Sequence, residues 1–93
     1  MVEMRDVVVA NVDVLSTDIE DGVVMMDVES GNYYSLDAIA SEIWKRLSQP
    51  TPVKDLCESL IAEFDAESDV ITADVLALLS QLAERKLIEV AGA

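Results

Sequence analysis

Hydrophobic and polar positions along this chain change their period near residue 36. Before that point apolar residues alternate with polar ones or run in short β-branched blocks: VVVANVDV at 7–14, then Val14–Glu20, Val23–Glu29 and Asn32–Leu36. A period of two in Val- and Ile-rich segments marks strands. Asp21-Gly22 is a two-residue hairpin signal between Val14–Glu20 and Val23–Glu29. Ser30-Gly31 is a second turn signal leading into Asn32–Leu36. The pattern predicts three strands in a meander, with the Val-rich opening at 7–14 also extended. On the middle strand Val24, Met26 and Val28 share a face. On the last, Tyr34 and Leu36 share a face, and Tyr33 and Ser35 point the other way.

Beyond residue 36 the apolar spacing turns helical. Ser35 or Asp37 can cap a first helix, which puts Leu36, Ile39, Ala40, Ile43, Trp44 and Leu47 on one side. Gln49-Pro50-Thr51-Pro52 breaks it. Thr51 can cap a second helix with Pro52 at its first position, a favoured place for proline. Val53, Leu56, Cys57, Leu60, Ile61 and Phe64 make the apolar stripe of that helix. A polar link from Asp65 leads to a third helix, with Ser68 as N-cap and Asp69 at the positive end of the dipole. There Ile71, Val75, Leu78 and Leu82 form one stripe, and Leu76, Leu79, Ala83 and Leu87 continue it around the cylinder. The apolar arc covers roughly half the circumference, wider than one core face requires. Either several neighbours pack this helix, or it meets the core on one side and lines a groove on the other. Arg85-Lys86 closes the helix, and Leu87-Ile88-Glu89-Val90 suits a short strand, the place where a winged-helix fold carries its wing.

The predicted architecture is a single α+β domain over residues 1–93. A three-stranded antiparallel β-meander in 1–36 is followed by a three-helix part in 37–93, in winged helix-turn-helix-like order. The length of 93 residues permits one compact core and little more. Composition narrows the function. Nineteen acidic residues oppose six basic ones, for a net charge of −13, and there is no histidine. Nucleic acid is a poor partner, because phosphate binding needs Lys and Arg. An anionic membrane surface is excluded on the same ground, and no apolar run approaches the ~20 residues of a membrane span. A basic peptide or protein face is a better match for this charge. Glu3 and Asp6 stand where a signal peptide would be basic, so the chain reads as cytoplasmic.

Catalytic chemistry finds little to work with. Without histidine neither a Ser-His-Asp nor a Cys-His arrangement can form. No Cys pair, zinc-protease helix or Gly-rich phosphate loop is present, and the three glycines are isolated. Asp65, Glu67 and Asp69 lack the loop of a calcium site and read as a solvated acidic face; no metal and no cofactor is expected. Cys57, flanked by Leu56 and Leu60, reads as a small buried apolar residue, since no base stands ready to activate it. One short match points to a different class. Ser35-Leu36-Asp37 before a helix is similar to the Asp-Ser-Leu context in which acyl carrier proteins attach phosphopantetheine, and those are also small and acidic. Here Tyr34 replaces the Asp, and strand-like sequence stands where a carrier protein has a helix and a long loop. A phosphopantetheine carrier loaded on Ser35 is therefore the alternative reading.

The order of motifs resembles one family. It comprises the Val-rich opening Val7–Val9, a hydrophobic strand ending in acid-Ser-Gly at Val23–Gly31, Tyr33-Tyr34-Ser35-Leu36-Asp37, Ile43-Trp44, Thr51-Pro52-Val53, and the Leu-spaced run from Asp74 to Ile88. This is similar to the PqqD-like family, recognition elements for the leader peptides of ribosomally synthesised, post-translationally modified peptides. The Glu29–Asp37 run looks closer to the stand-alone members of lasso-peptide pathways. The stretch between the Val-rich opening and the middle strand is longer than in that pattern, which leaves the first strand's bounds open.

The resemblance implies a non-catalytic adaptor that binds a precursor's leader as an added strand along the third strand, covered by the third helix. Asn32, Tyr33, Tyr34, Ser35 and Leu36 would supply the edge; Val75, Leu78, Leu79 and Leu82 the apolar wall; Asp69 and Asp74 the contacts to basic leader residues. The implied partners are the leader peptide and a separate, transglutaminase-like leader peptidase, with a cyclase in the lasso setting. The free edge also leaves a monomer or a weak homodimer as the expected state.

Overall fold

A computed structural model describes residues 2–20, 22–65 and 67–91 of the chain. Among the described residues, six strands, three α-helices and one 3-10 turn are arranged as two antiparallel sheets and a helical layer around one shared core. Strands β2 (Val14–Ile19), β3 (Gly22–Asp27) and β4 (Tyr33–Leu36) form the predicted meander, in that order. Gly22 shows why its turn needs glycine. Its φ is +155°, and a Cβ there would lie 2.0 Å from the Leu36 carbonyl oxygen. Asp21 lies outside the described residues. Gly31, at φ +76°, makes the second turn, held by its N–H donating to the Asp27 carbonyl.

The second sheet departs from the expected single meander. β1 (Val7–Ala10) lies between β5 (Thr51–Pro52) and β6 (Ile88–Ala91). Val8 faces Thr51 on one side and Val90 on the other. The apolar opening is therefore not one strand across 7–14. Asn11 interrupts it: its side-chain oxygen accepts from the Asp13 N–H (3.0 Å), and its carbonyl accepts from the Val14 N–H (3.2 Å). Such side-chain turns divert a chain that would otherwise stay extended.

Helix α1 (Ala38–Lys45) starts at Asp37, whose carboxylate accepts from the Ala40 N–H at 2.8 Å. Ile43 and Trp44 are buried, as is Leu47 in the one-turn 3-10 helix that follows, whereas Ile39 is exposed. Helix α2 (Val53–Phe64) buries Val53, Leu56, Cys57 and Leu60. Thr51 does not cap it. The Thr51 hydroxyl donates to the Arg46 and Gln49 carbonyls, and its backbone pairs with β1, so the cap position passes to Pro52. Helix α3 (Ser68–Glu84) likewise begins at Ser68, with Glu67 as N-cap. It ends in a left-handed turn at Lys86 (φ 60°), where the Leu87 N–H donates to the Leu82 carbonyl and the Lys86 N–H to the Ala83 carbonyl. This Schellman-type closure drives Leu87 into the core and launches β6, the predicted wing strand.

Candidate functional site

Among the described residues β4 has a strand partner on one side only, β3. Its register with β3 sets Met26 opposite Tyr33 and Met25 opposite Tyr34. The Asp27 N–H donates to the Asn32 carbonyl at 3.0 Å, which marks that pair as hydrogen-bonded. Antiparallel pairs alternate between bonded and non-bonded. The backbone groups of Tyr34 and Leu36 therefore turn to β3, and those of Tyr33 and Ser35 turn to the free edge. Two N–H and two C=O groups stand ready along it.

Beside that edge lies a hollow of about 440 Å³, whose far wall is α3. β4 lines it from Tyr33 to Leu36; Leu78, Gln81, Leu82 and Arg85 line it from the helical side. Met25 and Ala40 add apolar surface, and Asp37 stands at the rim. Side chains alternate across β4, so Tyr34 and Leu36 are half-buried while Tyr33 is 72% exposed. The Arg85 guanidinium sits 5.0 Å from the centre of the Tyr34 ring, a cation–π distance. Tyr34 and Arg85 also line a second hollow of about 420 Å³, with Asn32, Glu84 and Lys86. The two hollows adjoin at Tyr34 and Arg85, which line both.

Of the residues singled out in sequence, Tyr33, Tyr34, Ser35, Leu36, Leu78 and Leu82 meet at the first hollow, and Asn32 at its extension. Val75 and Leu79 do not line it: at 1% and 0% exposure they pack into the core on the adjoining part of the same apolar arc. Asp69 and Asp74 are exposed and outside the lining; Asp74 stands one turn before Leu78 on the same helix face. Sequence reasoning missed Gln81 and Arg85. Their spacing of three and seven from Leu78 was the available signal, but only the position of β4 shows which face of α3 matters. Ser35, on which the carrier-like reading rests, is in mid-strand rather than at a helix start.

Cys57 lies apart, buried in α2 with its sulfur 3.9 Å from that of Met4. Burial pushes its thiol above the ordinary 9.0, Glu58 adds to the rise, and a hydrogen bond with Thr72 opposes it. Among the described residues no group of three or more His, Cys, Asp or Glu is placed to hold a metal ion, and no helix is long and apolar enough to cross a membrane.

A family model described as coenzyme PQQ synthesis protein D (PqqD) matches residues 22–88, from the start of β3 to the first residue of β6. No curated protein matches the chain by sequence. Three solved structures share its fold. TbiB1 in complex with the TbiA(beta) leader peptide is 28% identical, with a TM-score of 0.80 over 87% of this chain and 94% of that one. A lasso peptide synthetase B1 complexed with the leader peptide is 23% identical, with a TM-score of 0.71 over 88% and 96%. The PqqD truncation of Methylobacterium extorquens PqqCD, a stand-alone recognition element, is 25% identical, with a TM-score of 0.74 over 89% and 88%.

Proposed function

This chain belongs to the PqqD family, and from that membership and its free β4 edge we propose that it binds the leader of a ribosomally made precursor peptide by strand addition. The observation that carries the reading is the pairing of unpaired backbone groups at Tyr33 and Ser35 with a hollow between β4 and α3 in which Leu36, Leu78 and Leu82 stand among polar groups. Main-chain bonds supply affinity independent of sequence, and the hollow selects among side chains. The TbiB1 structure, determined with a leader peptide present, supports the same occupant.

The magnitudes assign a role to each part. Four edge bonds at about 0.5–1.5 kcal/mol each give roughly 2–6 kcal/mol. Micromolar affinity needs about 8 kcal/mol. Apolar leader side chains seated against Leu36, Leu78 and Leu82 must contribute the remainder and offset the ordering of the peptide. The chain then serves as an adaptor, raising the local concentration of precursor at a separate processing enzyme. In a lasso pathway that enzyme is a transglutaminase-like leader peptidase, acting before a cyclase.

Fluorescence anisotropy with a synthetic leader, taken from the precursor encoded beside this chain, tests the reading. Binding at micromolar concentration or tighter is expected. No binding up to millimolar peptide overturns it. Intact mass after treatment with a phosphopantetheinyl transferase and coenzyme A is expected to stay unchanged; a gain abolished by Ser35→Ala would instead make the protein a carrier.

A further inference from the structure

The meander has a second face, turned away from the core. Pairing across the sheet puts Leu15, Thr17 and Ile19 of β2 beside Val24 and Met26 of β3, and these beside Tyr33 and Ser35 of β4. Val23 and Met25 point inward and are fully buried, so this set points outward. It is unusually apolar for a solvent-facing surface: Leu15 is 58% exposed and Ile19 49%. At the end of the sheet Val12 (91%) and Val28 (55%) extend it around a shallow hollow of about 360 Å³, whose polar lining is Asp13 and Glu29. A contiguous exposed apolar patch with a polar rim marks an interaction surface.

The rim identifies the occupant. No Lys or Arg occurs between residues 11 and 44, whereas Asp13, Glu20 and Glu29 are exposed beside the patch; Asp18 alternates to the inner face of β2, on the side of α1. Lys45 reaches only the Asp18 carboxylate, at 3.8 Å. Two copies meeting here would bring like-charged rims together, each on a chain of net charge −13. We propose that the outer face of the meander docks a separate folded protein whose apolar patch is ringed by Lys and Arg, and that this protein is the enzyme to which the leader is delivered. The proposal rests on the adaptor reading above. It separates the two tasks on one sheet: the β4 edge and the hollow beside it hold the peptide, and the outer face of β2 and β3 holds the enzyme.

The test uses the purified peptidase encoded with the precursor as the probe, against the full chain. The variant Leu15→Thr/Ile19→Thr puts β-branched residues, which favour strand, at both positions and removes apolar surface. It is expected to lower peptidase affinity by at least about tenfold and to leave leader affinity within about twofold, which also reports an intact fold. Asp13→Asn/Glu29→Gln is expected to weaken peptidase binding at low salt, with the difference vanishing at about 1 M salt, where charges are screened within a few ångströms. Wild-type peptidase affinity in the Thr variant overturns the proposal. So does a peptidase that fails to bind a wild-type chain that binds the leader. Sedimentation showing a dimer that the Thr variant dissolves would assign the face to a second copy. Loss of leader binding by the wild-type chain reads out separately, as failure of the adaptor reading.

Discussion

The two sheets of this protein end in opposite ways. In the β5-β1-β6 sheet the central strand is paired on both sides, and Val8 is fully buried. Its flanks are blunt. β5 is two residues long, ends in a proline with no N–H to offer, and runs at once into α2; β6 carries Glu89 on its exposed stretch. Short strands, proline and charge are ordinary means of making a sheet edge unattractive. β4 is also short, but Tyr-Tyr-Ser-Leu has neither charge nor proline, and a hollow lies beside it. One sheet blunts its margins; the other leaves both β2 and β4 unpaired on their outer sides, and at β4 a hollow can also receive side chains of a guest.

Proline substitution separates the two most sharply. Val8→Pro removes an N–H from a strand bonded on both sides and a side chain from the core, and is expected to abolish the cooperative thermal transition followed by circular dichroism. Next in size, Leu78→Arg fills the hollow with a charge. Leader affinity by anisotropy is expected to fall by more than about tenfold, the effect of losing a buried contact residue, while the circular dichroism spectrum keeps its shape. Ser35→Pro deletes one N–H on the open margin and none bonded to β3. The domain should melt as before, and leader affinity should fall by about three- to tenfold, the worth of one hydrogen bond. A large loss of stability in Ser35→Pro would mean that β4 is not an open edge.

The smallest effect concerns the sealed interior. Burial raises the Cys57 thiol pKa above its ordinary value, so the folded state holds the proton more tightly than the unfolded chain. Its contribution to stability is fully present below the unfolded thiol's range and is lost as pH rises through the folded value. Urea midpoints should therefore be insensitive to this group from pH 6 to 8 and decline above about 9, and Cys57→Ala should flatten the decline. A thiol reagent should label Cys57 only as the protein unfolds.

Much of this was legible in local pattern. The meander followed from alternation and two glycine turns, and the three helices from their spacing; Asp37 was one of two candidate caps. The exceptions share a cause. Thr51 reads as a helix cap because nothing nearby in sequence competes for it, but β1 recruits its backbone. The opening Val7–Ala10 reads as part of the meander because its true partners lie at Ile88–Ala91, near the other end of the chain. Val75 and Leu79 belong to the same apolar arc as Leu78 and Leu82, and an arc alone does not say which part of it faces β4.

Sequence by itself determined which segments extend, which coil and where they turn, because those choices depend on neighbours a few residues away. Its lack of histidine also ruled out a Ser-His-Asp or Cys-His arrangement within these 93 residues. Tertiary structure decided which strand margin is left unpaired, which side of α3 overlooks it, and that Arg85 comes to rest over Tyr34. Those outcomes come from packing between elements distant in the chain, where a shift of one residue in register or of one position around a helix redirects every side chain.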